Sequence, residues 1–134
     1  MRGTDQVERQ VSIQGGEFSS DPWRIGEIFR NLISNAIKYR KINGESCRVS
    51  IKVDVNSERA LIVFKDNGIG ISAENLSKIF EMFYRASEQS EGSGLGLYIV
   101  KNAVEKLEGL LSVKSKPGEG TTFEITLPNK VANP

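Results

Sequence analysis

Apolar residues recur at three- and four-residue steps between Asp21 and Arg40, and this spacing predicts a helix with one face on the protein core. Asp21 is a good N-cap residue, and Pro22 fits the first turn of a helix. We therefore expect a helix from Pro22 to about Arg40. Its apolar face consists of Ile25, Ile28, Phe29, Leu32, Ile33 and Ala36.

Segments in which apolar and polar residues tend to alternate predict the strands. The first is Val7 to Ile13, where the alternation is imperfect. The segments "CRVSIKVDV" and "RALIVFKD" read as a hairpin joined by "NSE", and "GLLSVKSK" and "TTFEITLP" read as a second hairpin.

A short helix at about Ala73 to Phe80 and a longer one at about Leu95 to Leu107 complete the predicted elements. Strands and helices do not alternate regularly along the chain. An α+β fold therefore fits better than a doubly wound parallel sheet.

Composition narrows the class of protein. A chain of 134 residues, 38% hydrophobic and 26% charged, suits one domain. A net charge of +1 gives no support for a nucleic-acid partner. The absence of histidine excludes histidine-based catalysis and histidine-ligated metals within this polypeptide.

The location expected from the sequence is the cytoplasm. Cys47 has no partner for an intrachain disulfide, and the chain begins without the apolar run of a secretory signal. No apolar segment approaches the roughly 20 residues that cross a bilayer. A longer parent protein could still be tethered to a membrane.

Four polar residues, Glu27, Asn31, Asn35 and Lys38, share one edge of the first long helix. Asparagine is a mediocre helix former, so two of them one turn apart need a reason. One interpretation is an ordinary solvated face. The other is that amide oxygens bind Mg²⁺, whose coordination substrate phosphates complete, while Lys38 meets a phosphate.

The segment "DNGIGI", Asp66 to Ile71, follows a predicted strand. Asp-Asn-Gly is by itself a sequence typical of a β-turn. Its two glycines also suggest a backbone that passes close to a flat ligand, with Asp66 accepting hydrogen bonds from an exocyclic amine. From these residues alone, turn and binding site are equally good interpretations.

The segment "GSGLG", from Gly92, leads into the second long helix. It has neither the P-loop pattern nor the dinucleotide-binding spacing. It is either a surface loop or a hinge that presents a helix N-terminus to an anion. In "IFEMFYRA", the aromatic residues are expected to pack, while Arg85 could stabilise charge on a transferring phosphoryl group.

In this order, the segments resemble the catalytic ATP-binding domain of bacterial sensor histidine kinases, within the Bergerat-fold ATPases. "NLISNAIKY" resembles the N box, "DNGIGI" the first glycine box, "IFEMFYR" the F box and "GSGLGL" the second glycine box. The resemblance covers about residues 7 to 128 of a single domain, 1 to 134. It implies a two-layer α/β sandwich, with a mixed sheet of about five strands on about three helices.

The resemblance also implies roles for individual residues. Asn31, Lys38 and Arg85 would act on the phosphates, Asn35 would bind Mg²⁺, and Asp66 would receive the adenine amino group. The remaining nucleotide-binding positions that it implies are Tyr39, Gly68, Gly70, Gly92, Ser93, Gly94, Leu95 and Gly96.

Members of the wider group that hydrolyse ATP carry a glutamate where this chain has Asn31. The resemblance therefore implies phosphoryl transfer from ATP to a histidine on a separate dimerisation domain, with a response regulator downstream. Alone, the domain is expected to be a monomer that does not autophosphorylate. The alternatives are a serine kinase of the anti-sigma-factor type and a nucleotide-binding docking module without catalysis.

Overall fold

The computed structural model describes residues 7–81 and 94–131. The element order is β1 (Val7–Gly15), α1 (Pro22–Lys38), β2 (Cys47–Val55), β3 (Arg59–Asp66), α2 (Ala73–Leu76), α3 (Gly96–Lys106), β4 (Leu110–Ser115) and β5 (Thr121–Pro128). None of the helices in these two ranges is long and apolar enough to cross a bilayer.

The five strands form one mixed sheet in the order β1-β2-β3-β5-β4. Only the pairing of β1 with β2 is parallel, and β2–β3, β3–β5 and β4–β5 are antiparallel. Both predicted hairpins are confirmed. Because β5 inserts between β3 and β4, the end of β3 lies beside the start of β5.

The core lies between the sheet and the helices α1 and α3, which pack against each other. Alternate residues of β2, β3 and β5 point into it, as Val49, Phe64 and Phe123 illustrate. The helices contribute the fully buried Ile28, Leu32, Val100 and Val104. The predicted α+β class and two-layer packing are confirmed.

Helix α1 begins as predicted, because the Asp21 carboxylate accepts hydrogen bonds from the backbone N–H groups of Trp23 (2.9 Å) and Arg24 (3.5 Å). It ends at Lys38, with Tyr39 as its C-cap, slightly before the predicted Arg40. The predicted helix from Ala73 to Phe80 is too long: the α-helical part stops at Leu76, and turns follow it.

Candidate nucleotide-binding site

A cavity of about 460 Å³ opens between the last turns of α1, the loop after β3 and the start of α3. Such a volume suits a small-molecule site. The α1 residues that line it are Asn31, Ser34, Asn35, Lys38 and Tyr39. The polar edge predicted for this helix therefore faces a cavity, apart from Glu27.

Asn31 has a fixed orientation on α1. Its Nδ2 donates to the backbone oxygen of Glu27 at 2.8 Å, and within the two described ranges its Oδ1 has no donor, so it is available as an acceptor. One turn further on, Asn35 lines the same cavity. The Nζ of Lys38 lies 5.2 Å from the ring centre of Tyr39, within range of a cation–π contact. Asn31, Asn35 and Lys38, the α1 side chains that the sequence predicts to contact Mg²⁺ or phosphate, thus lie along one side of the cavity.

Asp66 is the last residue of β3, lines the same cavity and is 6% exposed. Its Oδ1 accepts a hydrogen bond from the Gly68 backbone N–H at 2.8 Å. Burial raises the pKa of this carboxyl above its ordinary value, and the backbone N–H groups of Gly68 and Thr121 partly offset that rise. The side chain is therefore a buried acceptor held by the Gly68 backbone N–H.

The glycines after Asp66 make room for the protein's own backbone. A Cβ at Gly68 would lie 2.6 Å from the oxygen of Tyr39, and one at Gly70, where φ is +78°, would lie 2.0 Å from the oxygen of Lys116. Gly70 lines the cavity, whereas Gly68 is buried behind it. The sequence suggested that these glycines let the backbone pass close to a flat ligand. In the structure they let it pass close to Tyr39, at the end of α1, and to Lys116, in the β4–β5 turn.

The start of α3 closes the third side. Gly94, Gly96 and Leu97 line the cavity, and a Cβ at Gly96 would lie 3.4 Å from Oδ1 of Asn31. Leu95 immediately precedes α3 and is not among the lining residues. The N-terminus of α3, which the glycine-rich segment predicted, therefore lies beside Asn31 of α1. Arg85, Gly92 and Ser93 lie outside the described residues.

Several lining residues were missed by sequence reasoning, among them Thr121, Pro117, Ser72 and Asn75. Thr121 is 5% exposed and is the β5 residue paired with Asp66. The available signal was the "GEGTTF" hairpin, which was interpreted only as a turn and a strand. The hydroxyl of Ser72 is buried without a hydrogen-bond partner among the described residues.

The acidic groups of the site are sparse. Within residues 7–81 and 94–131, Asp66 is the only carboxylate lining the cavity, and no group of three or more Cys, Asp or Glu side chains could hold a metal. Burial and the Asp66 carboxylate raise the pKa of the Cys47 thiol, and Arg40 opposes the rise. Cys47 therefore remains a protonated packing residue and not a nucleophile.

Comparison with known sequences agrees with this geometry. The family described as "Histidine kinase-, DNA gyrase B-, and HSP90-like ATPase" matches residues 20–131. The autoinducer 2 sensor kinase/phosphatase LuxQ of Vibrio harveyi is 40% identical over 120 residues, which are 85% of this chain and 14% of LuxQ. The sensor protein SrrB of Staphylococcus aureus is 38% identical over 115 residues, covering 83% of this chain and 19% of SrrB.

The chain thus spans less than a fifth of the length of these two relatives. Among solved structures, the mycobacterial sensor histidine kinase MprB superposes with a TM-score of 0.77 at 30% identity, over 92% of this chain and 82% of that one. The resemblance to sensor histidine kinases inferred from the four sequence boxes is confirmed. The chain belongs to the histidine kinase-, DNA gyrase B- and HSP90-like ATPase family, and it is similar to the sensor kinase/phosphatase LuxQ and to the sensor histidine kinase MprB.

Proposed function

We propose that this domain binds ATP with Mg²⁺ in the cavity and transfers the γ-phosphoryl group to a histidine of a separate dimerisation domain. The observation that carries the proposal is that one cavity joins the Asn31–Lys38 wall, the buried Asp66 and the start of α3. The part of the cavity formed by α1 and the start of α3 is the proposed phosphate end, and the part around Asp66 is the proposed base end. The chain belongs to an ATPase family, which agrees with this division.

The base end of the site is Asp66. A buried carboxylate that accepts a hydrogen bond from the Gly68 backbone N–H has acceptor capacity left for an amine donor. The apolar side chains of Ile69, Ile71 and Ile79 line the same cavity and offer a surface for a flat ring. Adenine has both the ring and the exocyclic amine, so Asp66 is the proposed adenine partner.

The phosphate end lies on α1. The residues fit Mg²⁺, because Asn31 and Asn35 line the cavity, their side-chain amides carry oxygens, and hard cations take oxygen ligands together with phosphates. When bound, Mg²⁺ would neutralise charge on the phosphates. Lys38 adds a cation, and the backbone N–H groups at the start of α3 favour an anion. Arg85, Gly92 and Ser93 remain proposed contacts to the phosphates.

Transfer is favoured over hydrolysis because the phosphate end has no base among the described residues. Asn31 occupies the place of the glutamate that activates water in the hydrolysing relatives. Glu27, one turn earlier, does not line the cavity, and its carboxylate lies 3.9 Å from a nitrogen of Arg24. We therefore infer that the in-line attack on phosphorus uses a nucleophile from a separate domain, and a neutral imidazole meets that need.

The partners follow from the same proposal. LuxQ and SrrB are several times longer than this chain, so the parent protein is proposed to carry the dimerisation and phosphoacceptor domain elsewhere. A response regulator is the proposed receiver of the phosphoryl group. The domain itself is proposed to act in the cytoplasm, whether or not its parent is tethered to a membrane.

Phosphoryl transfer is tested by mixing the domain, labelled ATP and Mg²⁺ with the dimerisation domain of the parent kinase. We expect labelled partner whose phosphate is lost in acid and kept in base, because the phosphorus–nitrogen bond of phosphohistidine has that stability. The domain alone should remain unlabelled. An acid-stable label on the partner would instead identify a hydroxyl acceptor and the serine-kinase alternative, and binding without any transfer would identify a docking module.

Removal of the Asn35 amide should weaken the Mg²⁺ dependence of binding. We expect Asn35→Ala to lower ATP affinity about tenfold in the presence of Mg²⁺ and little in its absence, because one charge-assisted contact is lost. The measurement is calorimetric titration of ATP with Mg²⁺ and with EDTA. Asn102→Ala, an exposed amide on α3, is the matched control and should bind as the wild type does. An equal loss with and without Mg²⁺ would contradict the metal role.

A further inference from the structure

The hydroxyl of Ser115, at the end of β4, has three hydrogen-bond partners. It donates to the backbone oxygen of Gly120 at 2.7 Å and accepts from the backbone N–H of Ile71 at 2.8 Å. The third partner is the hydroxyl of Thr121, at 2.9 Å. Ser115 therefore links the loop after β3 to the β4–β5 hairpin. Two of its three partners, Ile71 and Thr121, line the cavity.

The three partners determine which hydroxyl donates in the contact between Ser115 and Thr121. A serine hydroxyl has one proton and two lone pairs. The Gly120 carbonyl can only accept, so it takes the Ser115 proton, and the Ile71 N–H can only donate, so it takes one lone pair. The remaining lone pair of Ser115 must then accept from Thr121. The proton of Thr121 is thereby directed away from any ligand.

Thr121 therefore offers the cavity lone pairs only. It is the β5 residue paired across the sheet with Asp66, and both residues line the cavity. Two neighbouring acceptors thus lie at the base end of the site. A base with an amine at this position can donate hydrogen bonds to both acceptors. A base with a carbonyl oxygen there places its lone pairs next to theirs, which weakens binding.

We propose that Ser115 is a positioning residue that fixes the Thr121 hydroxyl as an acceptor and so makes the site select a purine with an amine at C6. This inference rests on the proposed nucleotide function and deepens it. Asp66 alone could be satisfied by several donors. The Ser115–Thr121 contact adds a second acceptor that penalises a C6 oxygen.

The test compares the affinities of three nucleotides for the wild-type domain. ATP has an amine at C6, purine riboside triphosphate has only hydrogen there, and inosine triphosphate has an oxygen. Purine riboside triphosphate therefore lacks the donor, whereas inosine triphosphate also places an oxygen next to Asp66 and Thr121. We expect ATP to bind roughly 100-fold more tightly than inosine triphosphate, and purine riboside triphosphate to lie between them. Inosine triphosphate binding as tightly as purine riboside triphosphate would overturn the inference. Failure of all three to bind would instead overturn the proposed function.

Ser115→Ala supplies the direct test. The freed Thr121 hydroxyl can turn and donate to a C6 oxygen, so the preference for ATP over inosine triphosphate should narrow about tenfold. A purely structural role would lower both affinities together and leave their ratio unchanged, which would contradict the proposal. Ser115→Thr keeps the hydroxyl and should restore the wild-type ratio. Because the comparison within the wild type stands on its own, the proposal is tested even if the alanine variant fails to fold.

Discussion

Asp66→Asn is expected to lower ATP affinity by roughly 10- to 150-fold without unfolding the domain. The asparagine oxygen can still accept from the Gly68 N–H, but the charge that strengthens the bond to an amine is gone. A hydrogen bond to a charged group contributes about 1.5–3 kcal/mol, which gives the stated range. Calorimetric titration with Mg-ATP measures the loss. Asp54→Asn removes an exposed carboxylate from β2 and is the matched control.

The stability of the Asp66→Asn variant should not fall together with its ATP affinity. Burial raises the pKa of Asp66 in the folded protein. The folded state therefore binds more protons than the unfolded state between the two pKa values, so Asp66 lowers stability as the pH rises through that window. At neutral pH the uncharged amide of the Asp66→Asn variant should leave the melting temperature equal to or higher than that of the wild type. A clear fall would show that the carboxylate holds the loop after β3 together.

Acidification offers a second route to an uncharged side chain at this position. A protonated carboxyl loses its charge, so ATP affinity should fall on acidification, beginning at a higher pH than an ordinary aspartate would give. The Asp66→Asn variant should lack this part of the pH dependence. Full ATP affinity in that variant at neutral pH would remove Asp66 from the proposed role.

The elements of the fold were predictable where the pattern is local. The strands β2 and β3 have the predicted limits, because alternating side chains and the short "NSE" turn define them within a few residues. Helix α1 was predicted from its spacing and its Asp21 cap. The short helix after Ser72 was overestimated, because its apolar residues continue to Phe80 while the backbone turns away after Leu76.

The site was predictable only in part, because much of it is made by strand order. Asn31, Asn35 and Lys38 share a helix edge, which spacing alone can indicate. Thr121 reaches the cavity because β5 pairs with β3 and not only with β4, and no local pattern specifies that pairing. The contact of Ser115 with Ile71, in the loop after β3, likewise depends on strand order. Residues that act through the sheet register therefore escaped the sequence reasoning.

Gly70→Ala is expected to be among the most destabilising single changes in the site. At φ +78° an alanine is strained, and its Cβ would lie 2.0 Å from the backbone oxygen of Lys116, which cannot rotate away. Backbone strain of about 1–2 kcal/mol and overpacking of about 1–3 kcal/mol together lower the free energy of unfolding by roughly 2–5 kcal/mol. The displaced loop should also weaken ATP binding, since Gly70 lines the cavity.

Gly118→Ala separates strain from contact. Gly118 has a similar φ of +83°, but a Cβ there would meet nothing within 4 Å, and the residue does not line the cavity. We expect this variant to lose only the strain contribution of about 1–2 kcal/mol and to bind ATP normally. Urea unfolding and ATP titration of both variants give the comparison. If both lost the same stability, backbone conformation alone would explain Gly70, and the packing of its loop on the β4–β5 turn would contribute nothing to the site.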